Sequence, residues 1–232
     1  MIPLHDDNPT ERPPIVTVTL IVLCVLVFLW EVGQGRHMQR AVYALGLIPA
    51  TLFGKAQLSP ELALVPPVAT VFTSMFLHGG WMHLIGNMLY LWIFGNNVED
   101  AMGHGRFLVF YLLCGVAAAL AQALPDPDST VPMVGASGAI SGVLGAYLLL
   151  YPRARVLVLI PIGFLLETLS VPAAFVLGFW FVMQLISSLA ASGQEGGVAF
   201  GAHIGGFIAG MVLVPFFREK RHPLHLPGGR RF

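Results

Sequence analysis

Four side chains stand out against apolar surroundings: His83, Asn87, Ser137 and His203. Each lies in a stretch apolar enough to sit in hydrocarbon, where a polar or ionisable group is costly and marks function by default. A serine beside a histidine can lose its proton and attack a carbonyl carbon. His83 and Asn87, four residues apart, lie one above the other on one helix face. Ser137 opens its helix in the run Gly-Ala-Ser-Gly (135–138), where free N–H groups and the positive end of the helix dipole favour a developing negative charge. No carboxylate falls at that depth, so the serine and histidine would act as a dyad. Nothing calls for a cofactor or metal: no His-Glu-x-x-His helix is present to join His78, His83 and His203 in a metal site, and Asn87 is a poor soft ligand.

Other polar groups carry plainer readings. A serine inside a membrane helix usually bonds the carbonyl four residues earlier, so Ser141, Ser187, Ser188, Thr73 and Gln184 are taken as ordinary intrahelical polar groups. His5, His37, His104, His222 and His225 fall in loops or tails and read as solvated. Cys24 and Cys114, inside apolar runs, read as small hydrophobes rather than a disulfide or a nucleophile.

The elements that must position the four residues follow from composition. Of 232 residues, 56% are hydrophobic and only 10% charged, against about 25% charged in an ordinary soluble domain. The chain therefore reads as a membrane protein, and 12 Lys+Arg balanced by 12 Asp+Glu leave no basic face for nucleic acid. A spanning helix needs about 20 apolar residues, and six stretches approach that length: 14–33, 81–98, 106–124, 134–151, 171–190 and 198–217. The expected fold is an all-α, polytopic bundle of six transmembrane helices over 14–217, with a short N-terminal segment (1–13) and a basic tail (218–232). Residues 34–80 are too broken by Pro, Gly and charge to span and should form an ordered loop with short helical pieces. Val156 to Leu169, interrupted by Pro161 and Gly163, reads as a re-entrant or interfacial connection. The apolar run after residue 14 has no basic leader or cleavage site and reads as a retained span.

Lys and Arg collect in cytoplasmic loops. With six spans, Arg12, Arg106, Arg153, Arg155, Arg218, Lys220, Arg221, Arg230 and Arg231 share one side, against Arg36, Arg40 and Lys55 on the other, while Asp126, Asp128 and Glu195 fall in outer loops without cations. Both termini are expected in the cytoplasm, with the tail against anionic lipid. The lack of appended soluble domains or a transit-like leader points to a prokaryotic plasma membrane. His83, Asn87, Ser137 and His203 then all lie near the outer ends of spans 2, 4 and 6. Small-residue tracks let membrane helices approach closely; Gly138, Gly142 and Gly145 in span 4 and Gly201, Gly205, Gly206 and Gly210 in span 6 make these two the close-packed pair, bringing Ser137 toward His203.

These motifs together resemble the rhomboid family of intramembrane serine proteases: His78-Gly-Gly-Trp-Met-His83-Leu-Ile-Gly-Asn87 in span 2, Gly135-Ala-Ser137-Gly138 opening span 4, and Ala202-His203-Ile-Gly-Gly206 with Gly210 in span 6, within Val68 to Val214. The resemblance implies Ser137 as nucleophile, His203 as general base and acid, His83 and Asn87 as oxyanion donors with the Ser137 N–H, His78 as supporting structure and span 5 as a mobile gate. Two family features are absent: Ser141 stands where some members place a Tyr against the catalytic imidazole, and 34–80 lacks a Trp-Arg pair. The expected activity is endopeptidase cleavage in or near a transmembrane segment of membrane-protein substrates at the outer side of the bilayer, through a polar cavity among spans 2, 4, 5 and 6. The competing reading, a small transporter or channel with a path lined by Ser, His and Asn, would call for inverted repeats or midplane charge pairs, which the sequence lacks.

Overall fold

The computed structural model describes residues 1–162, 165–190 and 199–225; Glu195, Arg230 and Arg231 of the orientation argument lie outside them. In chain order the described elements are β1 (Ile2–Asp6), α1 (Ile15–Gly33), α2 (Met38–Leu45), α3 (Pro49–Leu52), α4 (Thr70–Thr73), α5 (Trp81–Met102), α6 (His104–Ala123), α7 (Ser137–Leu150), β2 (Arg155–Ile162), β3 (Leu165–Pro172), α8 (Ala173–Ala190) and α9 (Phe200–Phe217). The six long helices match the six expected stretches to within a few residues, and 34–80 holds the short helical pieces its breaks foretold. Three helices, Ile15–Gly33, His104–Ala123 and Phe200–Phe217, are long and apolar enough by themselves to cross a membrane.

The chain is mostly helical, and the all-α expectation is corrected by a three-stranded antiparallel sheet in the order β1-β2-β3. The stretch read as a re-entrant or interfacial connection is its hairpin, β2 pairing β3 from Arg155↔Pro172 to Ile162↔Leu165, and the N-terminal segment adds the third strand. The cause is residue type. Val156 and Val158 point inward and are fully buried while Leu157 and Leu169 face out, a period of two suited to β-branched side chains. Because both faces are apolar, that alternation is invisible in the sequence.

The buried centre is α7, with every residue from Gly138 to Tyr147 out of contact with the surroundings. Its most extensive packing is with α9, as the small-residue tracks required. The Gly138 and Gly142 carbonyl oxygens occupy the space that a Cβ on Gly206 or Gly210 would need, and the Phe207 carbonyl does the same at Gly145. On α6, Cys114 and Ala118 fill the other side of Gly142 and Gly138. Cys24 and Cys114 are both free and fully buried. The outer faces of α1 and α8 expose Val22, Leu26, Leu29, Phe175, Phe179 and Ile186, the inverse of a soluble fold and the surface expected of a protein solvated by lipid.

At one end of the bundle polar groups tie the termini together. Helix α1 has no side-chain cap of its own; instead Glu99 of α5, 1% exposed, accepts the Val16 and Thr17 N–H groups at 2.8 and 2.7 Å and the Thr17 hydroxyl at 2.7 Å. Asp100 does the same for the Glu11 and Arg12 N–H groups. Arg12 makes a two-pronged pair with Glu219 at 2.7 and 3.0 Å, and Arg221 bridges Glu219 and Glu11. The Arg12 guanidinium holds the Glu219 carboxyl down to about 2. Asp7 N–H donates to the Arg155 carbonyl and His225 N–H to that of Leu149. The N-terminus, the α5–α6 turn, the hairpin and the C-terminal segment therefore meet at one end. Three histidines read as solvated are engaged there: His104 opens α6 and lies 2.6 Å from Glu99, His222 lies 3.1 Å from the Tyr151 hydroxyl, and His225 lies 3.0 Å from the Leu150 carbonyl. The reason is again cross-element packing, since their partners stand at least five residues away, two of them more than seventy.

Candidate active site

Helix α7 begins at Ser137 because the preceding segment is pinned from outside. Met133 and Leu47 exchange two backbone hydrogen bonds, at 2.7 and 3.0 Å, and Gly135 N–H donates to the Ser74 carbonyl at 2.9 Å. Gly135 then turns the chain at φ +126°, a conformation that L side chains rarely adopt. The broken region 34–80 thus sets where Ser137 sits. Ser141 bonds the Ser137 carbonyl at 2.7 Å, the plain i−4 role expected of it.

His83 reaches the same point from α5. A Cβ built on Gly135 would lie 2.7 Å from His83 Nε2 and 3.6 Å from Ser137 Oγ, so the imidazole edge and the hydroxyl share one small space. Gly79 N–H donates to His83 Nδ1 at 3.3 Å. A nitrogen that accepts carries no hydrogen, so in the neutral ring Nε2 bears the N–H and aims it toward Ser137. Asn87, one turn along α5, is 8% exposed and its buried Nδ2 has no partner. A buried donor without an acceptor is costly, and it is the group a transient oxyanion would satisfy. Behind them His78, fully buried, stands edge-on to His83 with ring centroids 5.1 Å apart, and its backbone N–H donates to Glu31 at 3.1 Å. Glu31 is wholly buried at the end of α1, an anchor for this turn that the sequence reading did not single out.

His203 comes from α9. A Cβ on Gly138 would lie 3.7 Å from the Ala202 Cβ, so the residues beside the serine and the histidine pack together. Among the described residues no hydrogen bond joins Ser137 to His203; such bonds are commonly long in ligand-free sites and tighten on substrate binding. The His203 ring has Trp180 of α8 at 5.8 Å and Phe200 edge-on at 6.5 Å, and its Nδ1 lies 2.8 Å from Gln184 Oε1. Gln184 was read as an ordinary polar group. The signal that could have found it is its place one turn after Trp180, the one large polar side chain of α8.

The hollow beside Ser137, about 350 Å³ with its open mouth, is bounded by Gly115 and Ala118 of α6, Gly138 of α7, Ala202 of α9 and Ser74 and Met133 of the preceding loops. It therefore lies on the α6 side of the serine rather than among α5, α7, α8 and α9, where a cavity was expected. The small side chains of the α6–α7–α9 contact leave that space open. On the other side an apolar groove between α5 and α8, about 340 Å³ with its mouth, is lined by Tyr90, Val176, Phe179, Trp180 and Met183, with Met1 at its edge. Trp180 separates that groove from His203.

The arrangement suits acyl transfer: a nucleophile at a helix start, two side-chain donors beside it and an imidazole across a glycine contact. Residues 67–220 match the model of the Rhomboid domain. The chain is 34% identical over 201 residues to Rhomboid protease GluP of Bacillus subtilis, covering 86% of this chain and 35% of that one. It is 28% identical to Rhomboid protein 1, mitochondrial, of Saccharomyces cerevisiae, over 76% of this chain and 53% of that one. Rhomboid protease AarA of Providencia stuartii is 26% identical, over 85% of this chain and 70% of its own length. The chain spans about a third to a half of the length of the first two of these relatives.

Proposed function

Because the chain belongs to the rhomboid family, we propose that this integral membrane protein is a serine endopeptidase that cuts a peptide bond in or near a transmembrane segment of membrane-protein substrates. Ser137 Oγ attacks the scissile carbonyl while His203 Nε2 takes its proton. The oxyanion is received by His83 Nε2–H, Asn87 Nδ2–H and the Ser137 backbone N–H at the start of α7. His203 then protonates the leaving amine, and water, activated by the same imidazole, releases the acyl group. The observation that carries this reading is the shared space of Ser137 Oγ and His83 Nε2 beside the unpartnered Asn87 amide.

Six membrane crossings, residues 14–217 as one protease unit and cytoplasmic termini in a prokaryotic plasma membrane complete the proposal. The gathering of both termini and the hairpin at one end supports an even number of crossings, and the cation count supports the sidedness. Helix α7 has 14 residues, about 21 Å of rise against a hydrocarbon core of about 30 Å. With its C-terminal end at the inner face, Ser137 sits roughly 10 Å below the outer one, within reach of water from the outside. A substrate helix hides its carbonyl groups, so it must unwind before attack. The groove between α5 and α8 supports entry there, with α8 as the moving wall.

The test is fluorophosphonate labelling and cleavage of a single-span substrate by the full chain in detergent, for wild type, Ser137→Ala and His203→Ala. Loss of both activities in both folded variants is the expected result; a folded Ser137→Ala variant that still cleaves overturns the assignment.

A further inference from the structure

We propose that Gln184 is the positioning residue of the His203 imidazole, doing with a neutral amide what a third, acidic member does in a soluble triad; this rests on the Ser137–His203 reading. The Gln184 carbonyl oxygen lies 2.8 Å from His203 Nδ1, and a carbonyl can only accept. Nδ1 therefore bears the ring hydrogen and Nε2 is left with its lone pair, the tautomer that can take the Ser137 proton. The opposite assignment holds at His83, where the Gly79 N–H occupies Nδ1 and puts the hydrogen on Nε2. Two imidazoles beside one serine are thus set in complementary tautomers, one to donate to the oxyanion and one to accept the proton.

The chemistry explains why an amide stands here. A carboxylate buried at this depth would cost several kcal/mol, whereas an amide oxygen supplies the acceptor without the charge. Trp180, one turn before Gln184 on α8, closes over the same ring at 5.8 Å, so α8 holds the imidazole by its face and by one nitrogen. Helix α8 also lines the groove between α5 and α8, so movement of this helix on substrate entry would reach the general base directly.

His83 is the titratable group in the first turn of α5. Trp180 and Gln184 of α8 lie against His203, Gln122 of α6 accepts the neighbouring Ala202 N–H and Gly138, next to Ser137 on α7, meets Ala202, all uncharged; Glu99, Asp100, His104 and Arg106 lie at the far ends of α5 and α6. The pH profile of labelling therefore reads this pair of imidazoles.

The experiment measures fluorophosphonate labelling rate against pH for the full chain in detergent, with Ser137→Ala and His203→Ala as controls and a melting curve for each variant. Gln184→Leu, similar in size without an acceptor, should label at least about tenfold more slowly, part of the 10²- to 10⁴-fold that general-base catalysis contributes as a whole. Gln184→Glu keeps the acceptor and adds charge, so it should retain labelling and move the acid limb up by roughly one pH unit, because a carboxylate favours the imidazolium. Wild-type labelling in Gln184→Leu, or a Gln184→Glu variant with the wild-type acid limb or the rate of Gln184→Leu, overturns the proposal. Should Gln184→Leu fail to fold, the acid limb of Gln184→Glu decides alone. If the Ser137→Ala control still labels, the Ser137–His203 reading itself is overturned and the role of Gln184 falls with it, whereas loss of labelling in both controls with wild-type labelling in Gln184→Leu overturns the role of Gln184 alone.

Discussion

Replacing Gly135 by alanine tests the oxyanion geometry at its tightest point. The new methyl carbon would lie 2.7 Å from His83 Nε2 and 2.8 Å from Cε1. Favourable contacts begin near 3.5 Å, so the ring must retreat by roughly 0.8 Å. It cannot do so freely, since Nδ1 is held by the Gly79 N–H at 3.3 Å and the ring stands against His78 at 5.1 Å. Retreat therefore takes the Nε2–H away from the developing oxyanion. Losing one such donor costs about 10²- to 10³-fold in rate, or about 3 to 4 kcal/mol of transition-state stabilisation. A separate cost falls on folding, because alanine at φ +126° is strained by about 1 to 3 kcal/mol. The expected outcome for Gly135→Ala is a folded protein with a lowered melting temperature, kcat for a single-span substrate reduced on the order of 100-fold and KM little changed. Gly86→Ala, on the same turn of α5 as Asn87 with nothing within 4 Å of the added carbon, serves as the control and should match wild type. A folded Gly135→Ala variant with kcat indistinguishable from wild type would refute the placement of His83 as an oxyanion donor.

The glycine contact between α7 and α9 predicts that Gly206→Ala pushes the Gly138 carbonyl away and costs about 1 to 3 kcal/mol, read as a lower melting temperature in detergent together with slower cleavage. Asn87→Ala removes a donor that has no partner in the resting site, so it should lower kcat by about 10²-fold without lowering the melting temperature; a large stability loss would show that the amide is structural. At the clasp, Glu219 is held at about 2 by Arg12. A carboxyl lowered in the folded state stabilises above its unfolded value and loses that contribution as pH falls through the folded one. Melting curves of wild type should therefore keep this contribution at pH 5 and lose it only toward pH 2, whereas Arg12→Ala should lose it at higher pH, a small effect because solvent screens the pair. Tyr147→Phe leaves the buried Asp6 carboxylate without its hydroxyl partner and should cost about 1 to 3 kcal/mol, seen as faster proteolysis of the N-terminal strand with kcat unchanged.

What could be read directly from the chain were features with a local period. His83 and Asn87 share a face because they are four apart, and the glycines of spans 4 and 6 fit one another because only backbone can approach backbone so closely. Composition alone required lipid around the molecule. Tertiary structure decided whatever depends on how one element is rotated against another. The hairpin of Val156 to Leu169 was unreadable because its third strand lies some 150 residues away, at Ile2–Asp6, and because β2, from Val156 to Ile162, is apolar on both faces and so shows no alternation. Glu99 could not be recognised as the cap of α1, 82 residues distant, nor Gln184 as the partner of His203. The hydrogen positions on the two imidazoles follow from bonds made by Gly79 and Gln184. A histidine's residue type provides both tautomers equally, and only a neighbour brought in by folding selects between them.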